Sequence, residues 1–548
     1  MTRTYKDLVP TFADRSEWTL ATVLDRRADE DPDAVFLIAP EEDRRWSYGQ
    51  IRGEARKIAD SMSKRGARTG DRVLIMAVNS SQFVRTWLAT GLSGLVEVPI
   101  NTAYEGEFLR HQGNVTTPRW AVIDDAFAER FVRLRDQMVS IEHFWVIDRG
   151  AGAEAIDQLT KAGWSAGSWD ELLEGTERSF PVPAHSELAS IFFTSGTTGP
   201  SKGVAMPQAQ MYFFADEVVS LTRLTKADTY MTVTPLFHGN AQFMAAYPAL
   251  VAGASLVVRS RFSASRWVDQ VREQGVTVTN FIGVMMDFIW KQDPRPDDAD
   301  NPVRCVFAAP TASSILEPFR TRFGIEAFVE VFGLTETSAP IISPYGESRP
   351  AGAAGLLASD FFDIRLVDPD TDEEVAVGEV GELVVRPKFP WTCSMGYYGM
   401  PERTAEAWRN LWFHTGDALR RDHEGWYYFV DRYKDALRRR GENISSYEVE
   451  QAVLAHPAVV ECAVIAVAAE QEAGEDEVMA VIVANGSVDP VDIWEYCKGR
   501  IPEFAIPRFI RIVESLPRTP SEKIQKSVLR QEGITAGTHD RTRVAVGN

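Results

Sequence analysis

Residues 191–206, with the sequence IFFTSGTTGPSKGVAM, combine the residue types that bind phosphate groups. Glycines let main-chain N–H groups approach an anion closely, and consecutive amides form a concave nest for it. The lysine is preceded by serine and followed by glycine, so the segment is not a Walker loop. A flexible surface loop can have a similar composition. Here the glycines, hydroxyl side chains and lysine follow a buried strand, and this position favours a phosphate loop. The predicted contacts to phosphate are Thr194, Ser195, Gly196, Thr197, Thr198, Gly199 and Lys202.

Three further segments follow in order along the chain: VFGLTETSAP (331–340), GWYYFVDRYKDALRRRGENISSYEVE (425–450) and LPRTPSEKIQK (516–526). With the phosphate loop, they resemble the motifs of the adenylate-forming enzymes, which include acyl-CoA synthetases, firefly-type luciferases and peptide-synthetase adenylation domains. The segment 425–450 is most similar to the crotonobetaine/carnitine-CoA ligase branch of this family. The resemblance covers nearly the whole chain and implies ATP, magnesium and coenzyme A as ligands.

The resemblance also implies roles for individual residues. Phe332 matches the aromatic residue that packs on adenine, and Thr335 matches a phosphate contact. Glu336 matches the magnesium ligand, which suits the preference of this ion for oxygen. Asp417, in WFHTGD (412–417), matches the carboxylate that accepts hydrogen bonds from the ribose hydroxyls, and Arg432 matches a ribose and phosphate contact.

Lys523 resembles the catalytic lysine of the family. Attack of a carboxylate on the α-phosphorus of ATP builds negative charge, which a lysine at that point stabilises. A thiol must then reach the same carbon, and the family achieves this by rotating its C-terminal domain. The resemblance assigns the hinge to Lys434 and places Gly441 in the tunnel for pantetheine.

Two positions depart from the family pattern. Glycine is usual where this chain has Glu522, and a second glycine is usual where it has Arg440. An ion pair between Glu522 and Lys523 would stiffen the catalytic loop. Arg440 would narrow the tunnel or meet the phosphates of coenzyme A.

His238, in TPLFHGN (234–240), resembles the gate beside the reacting carboxylate. The expected walls of the substrate pocket are Asn240, Gln242, Phe281, Gly283, Ala308, Ala309, Pro310 and Gly333. The candidate segment around Phe281 is apolar and has no acidic residue for a quaternary ammonium group. We therefore expect a hydrophobic, bulky carboxylic acid such as a fatty, alicyclic or terpenoid acid.

Composition limits the classes of protein. The chain has 548 residues, too many for one core, and its formal net charge of −20 argues against non-specific nucleic-acid binding. The four cysteines are widely spaced, as in a reduced cytoplasmic protein, and the first residues show no signal peptide. The segment 229–258 has no charged residue, but its prolines and polar residues favour a strand, a loop, a buried helix and another strand over a membrane span.

Alternating helical and strand patterns predict an α/β fold. Ser47–Gln50 is a capping-box pattern before a helix, and residues 72–101 read as a strand, a helix and a parallel strand. We expect an N-terminal adenylation domain at 1–433 with parallel-rich sheets and a β-rich subdomain at about 360–430. A mobile α+β domain at 434–540 follows, and the sequence after Ile534, including the tail at 541–548, reads as frayed.

Four functions remain open at this point: an acyl-CoA ligase, an enzyme that loads a carrier-protein thiol, a luciferase-like oxidase, and a silent module that binds acyl nucleotides. The chain contains no carrier domain after residue 540, which favours coenzyme A as the acceptor, with a separate carrier protein as the alternative. Lys523 and Gly441 are both present, which argues against the silent module. Residue patterns do not predict the oligomeric state.

Overall fold

A computed structural model describes residues 3–194, 201–281, 283–308, 311, 315–432, 437–439, 442–444, 446–468, 476–517, 524 and 526–544. Within these ranges, strands and helices alternate up to residue 329. The strands are β1 (Val35–Ala39), β2 (Arg44–Ser47), β3 (Arg72–Met76), β4 (Val96–Pro99), β5 (Trp120–Asp124), β6 (His143–Ile147), β7 (Ser165–Ser168), β8 (Leu188–Thr194), β9 (Lys202–Pro207), β10 (Thr229–Thr232), β11 (Ser255–Val258), β12 (Val278–Phe281), β13 (Cys305–Ala308) and β14 (Ala327–Val329).

The helices of this region cover the strands. They are α1 (Leu20–Glu30), α2 (Tyr48–Lys64), α3 (Ser81–Ser93), α4 (Gly106–Thr116), α5 (Ala128–Val132), α6 (Gly152–Lys161), α7 (Gln208–Thr222), α8 (Gly239–Ala241), α9 (Tyr247–Ala252), α10 (Trp267–Glu273), α11 (Gly283–Trp290) and α12 (Leu316–Phe323). A π-helical turn at Gln242–Ala246 joins α8 to α9.

Two sheets of seven described strands result. Their orders are β7-β6-β5-β3-β4-β8-β9 and β14-β13-β12-β10-β11-β1-β2. Pairing is parallel except at one edge of each sheet, where β8 pairs with β9 and β1 with β2 in antiparallel fashion. The predicted parallel-rich α/β fold is confirmed. The capping box is also present, because Ser47 and the side chain of Gln50 bond reciprocally to each other's backbone at the start of α2.

A separate antiparallel sheet lies between residues 331 and 432. Its strands are β15 (Val331–Leu334), β16 (Ser338–Ile342), β17 (Ala353–Leu357), β18 (Phe362–Val367), β19 (Val380–Pro387), β20 (Phe413–Arg421) and β21 (Tyr427–Arg432), with α13 (Pro401–Ala407) between β19 and β20. The order is β15-β16-β17-β21-β20-β19-β18. This β-rich sheet starts about 30 residues earlier than the predicted boundary near 360, because the β15–β16 hairpin belongs to it.

The C-terminal part has its own apolar core. It contains β22 (Leu437–Arg439), β23 (Glu442–Ile444), β24 (Val459–Ala468), β25 (Asp476–Ala484), β26 (Phe509–Ile512), β27 (Thr538–Asp540), α14 (Ser446–Leu454), α15 (Pro490–Cys497), α16 (Lys526–Glu532) and α17 (Arg541–Val544). The frayed tail predicted after Ile534 is wrong for 538–540, which pair with β26 as an edge strand. The short helix α17 then follows within the predicted tail at 541–548.

The uncharged segment 229–258 forms β10, a loop, the consecutive helical elements from α8 to α9, and β11, as predicted. Among the described residues, no helix combines the length and apolar character needed to span a bilayer.

Candidate active site

The phosphate-loop segment connects two antiparallel strands. Thr194 at the end of β8 pairs with Lys202 at the start of β9, so both residues stand at the base of the loop. The predicted contacts Ser195, Gly196, Thr197, Thr198 and Gly199 lie outside the described residues. The hairpin therefore fixes the two ends of the predicted nest.

Glu336 lies on a tight turn between β15 and β16. The N–H of Thr337 donates to the carbonyl of Leu334 at 3.1 Å, which places Thr335 and Glu336 at the centre of the turn. From the buried helix α7, Gln210 Nε2 donates to the carbonyl of Thr335 at 2.8 Å. This hydrogen bond positions the turn relative to α7.

A hydrogen-bonded chain joins this turn to the phosphate loop. Tyr397 Oη donates to Glu336 Oε1 at 3.0 Å and lies 3.2 Å from Lys202 Nζ, which donates to it. Thr194 Oγ1 lies 3.5 Å from the same carboxylate oxygen. Glu336 is only 7% exposed. The structure thus brings together Thr194, Lys202 and Glu336, which were predicted separately from two motifs.

Tyr397 was missed by the sequence analysis. Its segment runs along β9: the amide of Met395 donates to the carbonyl of Ala205, and the amide of Tyr398 donates to the carbonyl of Gly203. Burial and the adjacent Glu336 raise the pKa of Tyr397 well above its usual value, which keeps the hydroxyl protonated as a donor. The doubled tyrosine in MGYYG (395–399) is the signal that could have indicated this residue.

Phe332 lies beside a second aromatic ring. The rings of Phe332 and Phe429 stack with centroids 6.1 Å apart and planes 28° apart. Phe332 is partly buried against the main core, and Phe429 is 48% exposed. The pair offers a partly open aromatic surface, which suits a planar base.

Gly333 permits the close approach of β15 to β16. A Cβ atom at this position would lie 2.3 Å from the carbonyl oxygen of Ser338. Because the obstacle is backbone, Gly333→Ala is expected to shift the hairpin that carries Glu336 and to lower the free energy of unfolding by about 1–3 kcal/mol. Urea denaturation measures this effect.

Gly537→Ala is the matched control for that substitution, since a Cβ at Gly537 meets no atom within 4 Å. Equal unfolding midpoints for Gly333→Ala and the wild type would contradict the prediction.

Asp417 is held where β20 faces β21. Asp417 and Arg432 are direct cross-strand partners, and Asp417 is 3% exposed. Glu382 fixes the preceding residues, because its two oxygens accept from the amide of Gly416 and contact His414 Nδ1, each at 3.0 Å. Burial raises the pKa of Glu382, but the bonds from His414 and Gly416 outweigh it and the net shift is downward. The backbone of Arg432 is thus placed beside Asp417, and its side chain lies outside the described atoms.

The loop that carries His238 is fixed by two buried asparagines. Asn79 Oδ1 accepts from the amide of Leu236 at 2.7 Å, and Asn280 Nδ2 donates to Thr234 Oγ1 at 2.9 Å and to the side-chain oxygen of Asn240. His238 itself is partly exposed and is the N-cap residue directly before α8. Asn240 therefore belongs to a polar cluster under the His238 loop.

Gln242 is fully buried next to an acidic residue. Its Nε2 donates to Glu97 Oε1 at 2.7 Å, and the other Glu97 oxygen accepts from Ser190 Oγ at 3.4 Å. Burial raises the pKa of Glu97 to about 8. The structure places Gln242 in a polar contact between β4 and the π-helical turn.

This raised pKa predicts a pH-dependent stability. In the unfolded chain Glu97 ionises near an ordinary pKa of about 4.3, whereas in the folded protein it keeps its proton up to about pH 8. Its contribution to stability is therefore full below the unfolded pKa and is lost as the pH rises towards 8, by up to about 1.4 kcal/mol per pH unit. Glu97→Gln is expected to remove this slope.

The measurement is the free energy of unfolding of the wild type and of Glu97→Gln at a series of pH values from 5 to 8. This range ends at the folded-state pKa of Glu97, about 8. Parallel pH profiles for the two proteins would show that Glu97 does not titrate in this way.

Other predicted pocket residues lie in the interior. Phe281 is fully buried against Trp267 and Phe319, and Ala308 ends the buried strand β13. Gly283 begins α11, and nothing is described of its surroundings. The predicted residues Ala309, Pro310, Lys434, Gly441 and Lys523 lie outside the described residues.

Glu336 fits the requirements of a magnesium ligand. No group of three metal-ligating side chains exists among the described residues, so a cation here would depend on Glu336 together with phosphate oxygens and water. Magnesium is commonly held in this way, by one or two carboxylates and substrate phosphates. The bonds to Tyr397 and Thr194 both fall on Oε1, which orients the carboxylate.

Comparison with known proteins identifies the family of the chain. The family model described as "AMP-binding enzyme" matches residues 24–398, and that of the "AMP-binding enzyme C-terminal domain" matches 448–523. The fold is that of the acyl-CoA synthetases, and the relatives of the chain identify it as an AMP-forming acid–thiol ligase. The chain belongs to the AMP-binding enzyme family.

Curated relatives and solved structures are similar over nearly the full length. The crotonobetaine/carnitine–CoA ligases of Salmonella heidelberg and Salmonella typhimurium are each 30% identical over 498 residues, covering 89% of this chain and 93% of theirs. A fatty acyl CoA synthetase of Mycobacterium tuberculosis is 25% identical with a TM-score of 0.67, covering 95% of this chain and 99% of its own. An o-succinylbenzoate CoA synthetase of Bacillus subtilis, 23% identical, has a TM-score of 0.77 over 94% of this chain and 99% of its own.

Proposed function

We propose that the protein uses ATP to convert a hydrophobic, bulky carboxylic acid into its acyl-adenylate and then transfers the acyl group to coenzyme A. The observation that carries this proposal is the chain from Lys202 through Tyr397 to Glu336, which sets a cation and a carboxylate at the base of the phosphate loop. A site that must bind a triphosphate and its metal requires both charges.

In the first step, a carboxylate oxygen of the acid attacks the α-phosphorus of ATP, a new P–O bond forms, and the bond to pyrophosphate breaks. The loop amides and Lys202 bind the phosphates, Asp417 and Arg432 bind the ribose, and Phe332 packs on the base. Lys523 stabilises the charge that develops on the α-phosphate. Magnesium, when bound, neutralises charge on the phosphates and the departing pyrophosphate.

In the second step, the thiolate of coenzyme A attacks the acyl carbon and AMP leaves with the bonding electrons. His238 lies on a loop fixed by Asn79 and Asn280, so it is suited to a gate beside the acyl group. We propose that residues 434–540 rotate about Lys434 between the steps, which brings Gly441 towards the pantetheine path.

A cationic substrate is disfavoured because the side chains that fix the His238 loop, namely Asn79, Thr234, Asn240 and Asn280, are all neutral. The proposal of an apolar acid rests on the apolar sequence around Phe281. A carnitine-like cation is the second candidate, favoured by the 30% identity to crotonobetaine/carnitine–CoA ligases. The four cysteines are free and buried, as expected of a reducing cytoplasm, which is the location that we propose.

The test is a panel of fatty, alicyclic, terpenoid and carnitine-like acids, scored in two assays. Exchange of labelled pyrophosphate into ATP reports adenylation, and mass spectrometry of reactions with coenzyme A or a carrier protein identifies the acceptor. Thioesters of coenzyme A with apolar acids are the expected products. No exchange with any acid would overturn the proposed activity, and reaction of carnitine-like cations alone would overturn the substrate class.

A further inference from the structure

The last amide of the phosphate-loop segment bonds to a carboxylate of the C-terminal part. The N–H of Ser201, directly before β9, donates to Glu448 Oε1 at 2.7 Å. Glu448 lies in the first turn of α14, which is 247 residues further along the chain. A main-chain donor next to Lys202 is therefore occupied by an acidic side chain from another part of the molecule.

Helix α4 reaches the same residue from the opposite side. His111 Nε2 lies 2.8 Å from the carbonyl oxygen of Ser201, so the tautomer protonated at Nε2 donates to it. On the same helix, Phe108 is buried in the C-terminal core, where Leu437 and Val449 also lie. The C-terminal part, α4 and the end of the phosphate loop thus meet at Ser201.

The contact between α4 and the C-terminal part is close. A Cβ atom at Gly106, the first residue of α4, would lie 2.6 Å from the carbonyl oxygen of Arg500. Ser201 is 2% exposed in this junction, and burial raises the pKa of Glu448 to about 7. The bond between Ser201 and Glu448 is therefore shielded from water, where hydrogen bonds to carboxylates are worth more than at the surface.

A triphosphate and this carboxylate oppose each other. Both accept hydrogen bonds from main-chain donors at this loop. Glu448, with a pKa of about 7, is partly ionised at neutral pH. In its ionised form it would repel a triphosphate, since two unit charges about 4 Å apart repel by about 4 kcal/mol at an effective dielectric constant of about 20. The contact is therefore expected to be stronger when the loop holds no triphosphate. In the proposed reaction, that condition holds after pyrophosphate has left, which is when the thiol step takes place.

We propose that Glu448 is a positioning residue that holds the C-terminal part against the phosphate loop for the thiol step, and that the triphosphate of ATP displaces it. This inference rests on the proposed function. It assigns to one carboxylate the coupling between release of pyrophosphate and the orientation of the C-terminal part.

The test uses the full-length enzyme and the Glu448→Ala and Glu448→Gln variants. Pyrophosphate exchange measures adenylation, and thioester formation from supplied acyl-adenylate and coenzyme A, without ATP, measures the thiol step. Glu448→Ala is expected to slow the thiol step about tenfold, because it loses a buried bond to a charged group, and to leave exchange unchanged. Glu448→Gln keeps an oxygen acceptor for the Ser201 amide and is expected to restore most of the rate.

Addition of pyrophosphate gives a second readout. It is expected to slow the thiol step of the wild type by competing with Glu448 for the loop, and to have less effect on Glu448→Ala, whose loop has lost that partner. Pyrophosphate also reverses adenylation, so the ATP formed is measured in the same reactions and the rate of the thiol step is calculated from the acyl-adenylate that remains. Glu495→Ala is the matched control, because Glu495 is an exposed acidic residue of α15 that pairs only locally with Lys498 in the described structure.

Equal loss of both steps in Glu448→Ala and Glu448→Gln would show a merely structural role and overturn the inference. An unchanged thiol step in Glu448→Ala would also overturn it. Failure of the proposed function is distinguishable, since the wild type would then show no exchange with any acid in the panel.

Discussion

Replacement of Lys523 by alanine is expected to lower the rate of acyl-adenylate formation by about 100- to 1,000-fold, the range seen when one donor to a developing oxyanion is removed. The acid is already ionised at neutral pH, so a lysine at this step acts as an electrostatic partner and not as a base. Thioester formation from supplied acyl-adenylate is expected to remain near the wild-type rate, because the charge that Lys523 stabilises belongs to the first step alone.

Pyrophosphate exchange and thioester formation are measured separately for this variant. Lys498→Ala is the control, since Lys498 is an exposed lysine of the C-terminal part that pairs with Glu495. A uniform fall in both steps would contradict the assignment of Lys523 to the first step alone. Retention of full exchange activity would remove Lys523 from the catalytic site.

The fold was predictable because its signals are local and agree with one another. The buried strands β3 and β4 and helix α3 between them follow the apolar pattern, and the capping box at Ser47 begins α2 where predicted. The edge strand β27 was missed, because a short polar strand such as Thr538–Asp540 has no periodicity and is specified by its neighbour β26.

The site was predictable where chemistry requires a particular residue type within a short motif. Thr194, Lys202 and Glu336 are such residues, and they lie together. Tyr397 and Glu448 depend on contacts between distant segments, 195 residues from Lys202 and 247 from Ser201, and no local pattern reveals such contacts. The apolar residues near Phe281 suggested a pocket wall, but apolar character equally describes the core in which Phe281 packs.

Glu336→Gln is expected to lower adenylation by about 100-fold, which corresponds to about 2.7 kcal/mol in activation free energy. The amide keeps the size of the side chain and an acceptor for Tyr397, so the loss reports the missing charge. The fall is expected to be accompanied by a higher magnesium requirement, because the neutral amide is a weaker oxygen ligand for a hard cation. Pyrophosphate exchange titrated with magnesium measures both effects.

Substitution of Tyr397 tests whether the orientation of the Glu336 carboxylate, apart from its charge, contributes to adenylation. Tyr397→Phe removes the hydroxyl that bonds Glu336 Oε1 at 3.0 Å, and is expected to slow exchange about tenfold through loss of a bond to a charged group. If Tyr397 acts through Glu336, the same substitution in a Glu336→Ala background causes little further loss, because the two effects share one interaction. Tyr398→Phe is the neighbouring control. Full additivity of Tyr397→Phe and Glu336→Ala would show that Tyr397 acts through Lys202 alone, and the hydrogen-bonded chain would then not be the device that orients the metal ligand.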